Sequence, residues 1–143
     1  MNNAYILVSA TCRNNVDCRF VGEDMYIDIR VQNNTHGDLA LPLAYLKARG
    51  PIIRLIDRKT EREVYTRPNL ADPALMAQLV TLRPSESAQL EWVITAFELQ
   101  QFDPIAVDID AEVSIQSGGR FNDEPVEVNG KDIIHISDRK ERE

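Results

Sequence analysis

The sequence predicts an all-β fold, an antiparallel β-sandwich with one or two short helical turns. Apolar and polar residues alternate with the two-residue period of strands that bury one face. Clusters of turn-forming residues separate these segments, about eight or nine in all. There is no long amphipathic helical pattern and no internal repeat, which argues against a doubly wound α/β fold.

The first strands are read from the alternation between residues 4 and 46. Residues 4–11 alternate in a way that fits either two partly buried faces or an edge position. Residues 25–32 put apolar side chains on one face and polar ones on the other, as in a half-buried strand. Turn formers at 33–38 end it. Residues 39–46 read as extended around Pro42, which predicts an edge strand, a bulge or a strand start.

A hairpin and a short helix are predicted next. Residues 51–57 and 62–66 flank a four-residue loop, 58–61, as the two arms of a hairpin. Further along, Asp72 can cap a helix and Pro73 suits its first position. We therefore expect one short helical turn there.

The second half contains the longest alternation in the chain. Residues 89–94 form a sandwich-like strand with Trp92 on its buried face, and 97–102 read as a brief helical connection. Residues 105–115 alternate throughout, which predicts a central strand.

A flexible loop and a final hairpin complete the predicted domain. The loop covers 117–124, and Asn129-Gly130 is the signal of a type I′ hairpin turn. The length of 143 residues suits one domain. We expect this domain to span 1–137, followed by a polar, frayed tail at 138–143.

The composition and the N-terminal sequence limit the classes of partner and the cellular compartment that we expect. Sixteen Lys and Arg stand against 23 Asp and Glu, a net charge of -7, which argues against a nucleic-acid partner. No apolar stretch approaches the roughly 20 residues of a membrane span, so we expect no membrane partner. The N-terminus has no basic region, and its apolar run at 4–8 is short, which predicts a cytoplasmic protein.

The two cysteines allow two interpretations. Cys12 and Cys18 could face each other across a turn centred on Asn14-Asn15, so a disulfide is geometrically possible. In a reducing cytosol, two free thiols near an edge strand are the favoured alternative. A structural zinc site needs about four Cys or His ligands, so we expect no metal.

No pattern of catalytic residues is present. There is no Gly-x-Ser-x-Gly elbow and no phosphate-binding glycine loop, and His36 and His135 are isolated in sequence. Asp108, Asp110 and Glu112 share one strand face, where they could bind calcium or a basic partner, although a solvated outer face is favoured. We predict that the protein is not an enzyme and uses no cofactor.

Charge is segregated along the chain. Residues 47–67 contain seven basic and three acidic residues, a surplus of +4, whereas 86–127 contain ten acidic residues and one Arg, a surplus of -9. The segregation predicts a dipolar surface, which either steers a protein partner or simply keeps the protein soluble.

Three segments carry a resemblance to a known family. Residues 20–35 (FVGEDMYIDIRVQNNT), 53–57 (IRLID) and 82–92 (LRPSESAQLEW) follow the pattern F-x-G-E, alternating strand, N-x-(S/T), then L-x-P-G-E before an aromatic-bearing strand. They resemble bacterial immunoglobulin-like sandwich domains of the intracellular proteinase inhibitor type, except that Ser85 replaces the glycine. The resemblance implies a cytosolic, non-enzymatic domain that binds and blocks a protein.

The leading hypothesis is a protein-binding inhibitor, either of a proteinase or, as an immunity protein, of a toxin, acting by steric occlusion. The candidate contact residues lie in the predicted basic hairpin and in the 117–124 loop: Arg58, Lys59, Arg62, Arg120 and Phe121. Phe121 is either an exposed anchor or folded back on the core. The alternative is an accessory or structural sandwich module that binds a carbohydrate or stabilises an assembly. An aromatic content of 6% disfavours carbohydrate binding.

Overall fold

The protein is an all-β sandwich, as the alternation predicted. A computed structural model describes residues 5–13, 17–66 and 69–138. Within these ranges the strands form two antiparallel sheets, which confirms the predicted fold class. The expected tail beyond Asp138 lies outside the described residues. The strands are β1 (Ile6–Cys12), β2 (Met25–Asn33), β3 (Leu39–Leu41), β4 (Ile52–Asp57), β5 (Glu63–Tyr65), β6 (Val80–Leu82), β7 (Ser87–Ile94), β8 (Asp108–Phe121) and β9 (Glu124–Ser137).

The smaller sheet contains three strands in the order β1-β2-β7. β1 is an edge strand, as one of the two interpretations of residues 4–11 predicted. Its side chains alternate strictly between buried and exposed, and so do most of those in β2. β7 lies at the other edge of this sheet.

The larger sheet is built around β8, which confirms the predicted central strand, although it begins at Asp108 rather than residue 105. The strand order is β5-β4-β8-β3-β6, and β9 pairs with β8 along its whole length. β4 pairs with the first half of β8 and β3 with its end. The predicted hairpin of residues 51–66 is confirmed as β4 and β5.

One hydrophobic core fills the space between the sheets. The most buried side chains are the inward-facing aliphatic residues of the long strands, among them Ile27, Ile29, Leu55, Ile109 and Val113. Because these residues recur every second position, each strand turns its polar residues to solvent. The single-core arrangement follows directly from the alternation.

A short helix replaces the extended segment predicted after Pro42. Helix α1 spans Leu43–Arg49 and buries Leu43 and Leu46 on one face. Its Leu, Ala, Lys and Arg residues are good helix formers. Lys47 and Arg49 lie in its last turn, where they offset the negative end of the helix dipole.

The other two helical predictions are confirmed. A 3₁₀ helix spans Pro73–Ala77, and the Asp72 side chain accepts a hydrogen bond from the backbone N–H of Ala74. Helix α2 spans Ala96–Leu99 and begins with a capping box between Thr95 and Glu98.

The prediction of a flexible loop at 117–124 and of a turn at Asn129-Gly130 was wrong. β8 and β9 continue through both segments as one long hairpin, in which Gly130 pairs with Ile115. The turn lies at Asn122 and Asp123, whose φ angles of 49° and 67° are those of a type I′ turn. Asn and Asp tolerate this backbone better than most other residues.

The preference for free thiols at Cys12 and Cys18 was also wrong, because the two residues form a disulfide. The bond joins the end of β1 to the segment that precedes β2, and both cysteines are buried. The turn predicted at Asn14-Asn15 lies outside the described residues. The Cys18 carbonyl accepts a hydrogen bond from the backbone of Ser137 in β9.

The motif Asn33-Asn34-Thr35 at the end of β2 stabilises the turn that follows this strand. The buried Asn33 side chain donates to the carbonyls of Gly37 and Leu82, and its oxygen accepts from the backbone N–H and the hydroxyl of Thr35. At the other turn of the resemblance, Ser85 has a φ of 67°, a conformation that glycine adopts more readily.

Candidate functional site

The turn between β4 and β5 presents the three predicted cationic contacts, Arg58, Lys59 and Arg62, all of them exposed. The turn is rigid. The buried Asp57 carboxylate accepts a hydrogen bond of 2.6 Å from the Thr60 hydroxyl, and the Asp57 carbonyl accepts one of 2.7 Å from the backbone of Glu61.

Two of these cations are paired with carboxylates of the same protein. The Arg58 guanidinium lies 3.5 Å from Asp110 and 3.9 Å from Asp108, and Lys59 Nζ lies 2.7 Å from Asp103. The basic stretch of the sequence therefore faces the acidic stretch across neighbouring elements. Charges that are separated along the sequence are paired in the fold. Arg58 and Lys59 consequently contribute little to a dipolar surface.

The Lys59–Asp103 pair fixes the loop before β8. The Lys59 ammonium, together with the backbone N–H groups of Ile105 and Ala106, lowers the pKa of Asp103 to about 2. The hydrogen bond to Asp103 in turn raises the pKa of Lys59. Lys59 also donates to the carbonyl of Ala106. These contacts join the loop to the turn.

Arg62 makes no ion pair with the described residues. Its guanidinium carbon lies 5.6 Å from the centre of the Phe102 ring, a cation–π arrangement. This contact brings the segment after α2 to the same end of the sandwich as the turn. The charge of Arg62 remains available to a partner.

Two exposed apolar side chains, on the segments before and after Phe102, were missed by the sequence reasoning. Phe97 is 84% exposed and Ile105 is 88% exposed. Phe97 belongs to α2, where the Ala96 N–H donates to Asp24, and Ile105 lies next to the carbonyl that Lys59 contacts. Alternation predicted Ile105 to be buried in the central strand. The turn-end surface, as we call it, consists of Arg58, Lys59, Arg62, Phe97 and Ile105.

Arg120 and Phe121 lie at the opposite end of the larger sheet. Ile109 pairs with Asp57 beside the turn, and Phe121 follows it by twelve residues of β8, a distance of roughly 40 Å along the strand. The predicted contact residues therefore belong to two separate surfaces.

Phe121 is half-buried and folds back on the core, as one of its two interpretations predicted. Its ring packs edge-on against Tyr5, with 5.5 Å between the ring centres. Arg120 is exposed, and its guanidinium donates to the carbonyl of Asp123. Of this pair, Arg120 remains accessible to a partner.

Each carboxylate in the row on β8 has a partner in the same chain. Asp108 lies 2.6 Å from His135 Nε2, and Glu112 accepts hydrogen bonds of 3.2 Å from Arg54 and Lys131. Burial acts to raise the pKa of Glu112, but these hydrogen bonds lower it overall. Among the described residues no cluster of potential ligands could hold a metal ion.

The aromatic residues of the smaller sheet do not form a row. Trp92 is half-buried and packs against the core, whereas Tyr26 is exposed. Both line a groove of about 470 Å³ together with Arg13 and Glu91. Arg13 also pairs with Asp28 at 2.6 Å, and the hydrogen bond to Asp28 raises the pKa of Arg13.

Comparison with known proteins places the chain in no family. No family model matches it, and no curated protein does. The solved structure of the structural-genomics target SoR45 is similar with a TM-score of 0.44 and 9% identity, over 94% of this chain and 87% of that one. The ApaA protein of Bordetella pertussis gives 0.43 and 11%, over 93% of each chain.

The sporulation control protein Spo0M of Bacillus subtilis gives a TM-score of 0.41 and 12% identity, over 94% of this chain and 50% of that one. Similarity at these values identifies neither a family nor a function. In the part of the chain that the structure describes, no helix has the length and apolar character to cross a membrane.

Proposed function

We propose that this protein is a non-enzymatic inhibitor that binds a protein partner, a proteinase or a toxin, through the turn-end surface and blocks it by steric occlusion. The observation that carries the proposal is the exposure of Phe97 and Ile105 on the segments that precede and follow Phe102, whose ring contacts Arg62. Large apolar side chains next to an arginine are typical of the residues that dominate binding energy in protein interfaces.

The two apolar side chains are held in place before a partner arrives. The capping box of Thr95 and Glu98 fixes α2, and Asp103 accepts hydrogen bonds from the N–H groups of Ile105 and Ala106. A surface ordered in advance loses less conformational entropy on binding. This rigidity supports an inhibitor that occludes its target without changing shape.

The internal ion pairs change which charge should matter for binding. Because Arg58 and Lys59 already have carboxylate partners, we expect Arg62 to supply most of the electrostatic attraction at this surface. Reversing Arg62 should therefore slow association, whereas reversing Lys59 should disturb the loop that it anchors.

The proposal is tested by capturing partners from a lysate of the source cell and measuring whether the captured partner loses activity. A proteinase is assayed with a fluorogenic peptide, and a toxin by the growth of cells that coexpress both proteins. We expect stoichiometric inhibition by the wild type. The variant with both Phe97→Ala and Ile105→Ala should lose at least about tenfold in affinity, because interface anchors contribute more than 1 kcal/mol each.

Ile133→Ala is the matched control, because Ile133 is also an exposed apolar residue but lies on the outer face of the larger sheet. It should inhibit as the wild type does. A captured partner that keeps full activity when saturated with the protein would contradict the inhibitor proposal. Equal affinity of the double variant and the control would remove the turn-end surface from the interface.

The compartment forms part of the proposal. The sequence predicted the cytoplasm, whereas the Cys12–Cys18 disulfide is of a kind that persists mainly in oxidising compartments. Alkylation of free thiols in intact cells before lysis distinguishes the two compartments. Two alkylated cysteines support the cytoplasm, and a protected pair supports an oxidising compartment.

A further inference from the structure

A cleft lies at the other end of the sandwich, between α1, the 3₁₀ helix and the end of β8. It has a volume of about 320 Å³, within the lower range of ligand sites. Tyr45 and Pro42 form one wall, and Met76 and Leu79 form another. Met76 is 53% exposed, and methionine adapts readily to apolar partners at binding surfaces.

Glycines in β8 help to shape this cleft. Gly118 and Gly119 form its floor, and a Cβ at Gly119 would lie 2.6 Å from the carbonyl oxygen of Ala40. The glycine therefore permits β3 to pass close to β8. Any larger residue at Gly119 would push apart the strands that support the cleft.

Two arginines line the cleft, and neither forms an ion pair with a described residue. Arg49 is oriented by the Tyr45 ring, 5.4 Å from its guanidinium carbon, and by a hydrogen bond of 3.1 Å to the carbonyl of Gln116. Arg120 is held by the carbonyl of Asp123. None of the residues that line the cleft carries a carboxylate, although Glu127 Oε2 would lie 3.8 Å from a Cβ at Gly118.

Arg13, Arg54 and Arg58, in contrast, face carboxylates of the same chain. Two guanidiniums oriented by carbonyls retain free N–H donors, and an arginine fork binds a carboxylate well. The adjacent Met76 and Leu79 offer an apolar contact to a neighbouring side chain. A peptide segment that carries both acidic and apolar side chains can bind the two arginines and the apolar residues at the same time.

We propose that this cleft is a docking site for an acidic, apolar peptide segment of a protein partner, with its carboxylates on Arg49 and Arg120 and its apolar side chains on Met76 and Leu79. The proposal goes beyond the inhibitory surface. Gly118 lies about 30 Å along β8 from the end that carries Arg58. Loss of binding at the cleft would therefore leave the turn-end surface and its test unaffected.

The experiment titrates the full protein, labelled with ¹⁵N, with an acetylated and amidated hexapeptide that alternates Glu and Leu. We expect shifts of the Arg49 and Arg120 side-chain Nε–Hε signals and of the backbone signals around Leu79. The same peptide with Gln in place of Glu should bind at least about tenfold more weakly, because a carboxylate forms stronger hydrogen bonds with a guanidinium than a neutral amide does.

The variant Arg49→Gln with Arg120→Gln should lose the preference for the Glu peptide. Arg30→Gln is the matched control and should keep the preference, because Arg30 is an exposed arginine on the smaller sheet that forms no ion pair with a described residue. The single variant Arg120→Gln, at the exposed tip of the hairpin, keeps the test valid if the double variant does not fold, and it should lose part of the preference.

Three results would overturn the proposal. The first is an absence of signal shifts around the cleft at millimolar peptide, and the second is equal binding of the Glu and Gln peptides. The third is binding of inorganic phosphate or of a single-stranded oligonucleotide as tightly as the peptide, which would identify a general anion site. Binding of the Glu peptide alone, lost on removal of Arg49 and Arg120, would support it.

Discussion

Gly50, which ends α1, is the glycine at which a side chain should be tolerated least. Its backbone has φ 87° and ψ 174°, a combination found almost exclusively in glycine. A Cβ at this position would also lie 2.5 Å from Cζ2 and Cζ3 of Trp92. Gly50→Ala therefore combines backbone strain with a steric overlap in the core.

The size of the effect follows from these two contributions. Forcing alanine into this backbone conformation costs about 1–3 kcal/mol. Displacing the Trp92 ring, which packs against the core, adds about 1–3 kcal/mol as overpacking does elsewhere. We expect Gly50→Ala to lower the free energy of unfolding by about 2–6 kcal/mol, a large share of the 5–15 kcal/mol of a typical domain.

Gly22→Ala is a control for a positive φ without steric overlap, because Gly22 has a φ of 88° and no atom within 4 Å of its Cβ position. Urea unfolding is followed by circular dichroism and by the fluorescence of Trp92, the one tryptophan in the chain. Gly50→Ala should be the less stable variant by about 1–3 kcal/mol. Equal stabilities of the two variants would refute the proposed contact between Gly50 and Trp92.

Two further predictions concern the loops. Because the pKa of Asp103 is lowered to about 2, its ion pair stabilises the fold above pH 4, and this contribution disappears as the pH falls towards 2. Asp103→Asn should be less stable than the wild type in urea at pH 7 and equally stable near pH 2; a constant difference would contradict the assignment. Replacing Cys12 and Cys18 by alanine should cost roughly 2 kcal/mol, since the disulfide closes a short loop. Reductant should destabilise the wild type and leave the variant unchanged in urea unfolding, whereas a wild type indifferent to reductant would argue against the bond.

The fold class could be predicted because a core between two sheets requires apolar residues at every second position of a strand. In β2, every second residue from Met25 to Val31 is buried, and the pattern is visible in the sequence without knowledge of the partner strands. The same pattern identified β8 as central. The alternation failed at Ile105, an apolar residue whose position continues the pattern of β8. Its backbone N–H donates a hydrogen bond to Asp103, which holds Ile105 outside the strand.

The errors arose where two local signals competed. Asn129-Gly130 is a strong turn signal, yet the turn formed at Asn122-Asp123, because this register pairs β8 with β9 over 14 residues each. Likewise Pro42 suggested an extended segment, but it precedes the first turn of α1, where proline does not interrupt helical hydrogen bonds.

The site was harder to predict than the fold, because its properties depend on which strands are neighbours. Counting charges along the chain identified a basic and an acidic stretch, but only the pairing of β4 with β8 shows that Arg54 meets Glu112. The exposure of Phe97 has no sequence signal, because an apolar residue in a short helix is usually buried. Arg49 was counted only as one charge of the basic stretch.

The two surfaces should respond differently to salt, and the reason lies in how their cations are paired. At the turn end, Arg58 and Lys59 are compensated by their own carboxylates and Arg62 is the remaining cation, so binding there depends mainly on Phe97 and Ile105. At the cleft, Arg49 and Arg120 have no such partners, so binding depends on charges that salt screens over about 10 Å at 0.1 M. A partner that uses only the turn end should therefore stay bound at high salt, whereas one held by the cleft should dissociate.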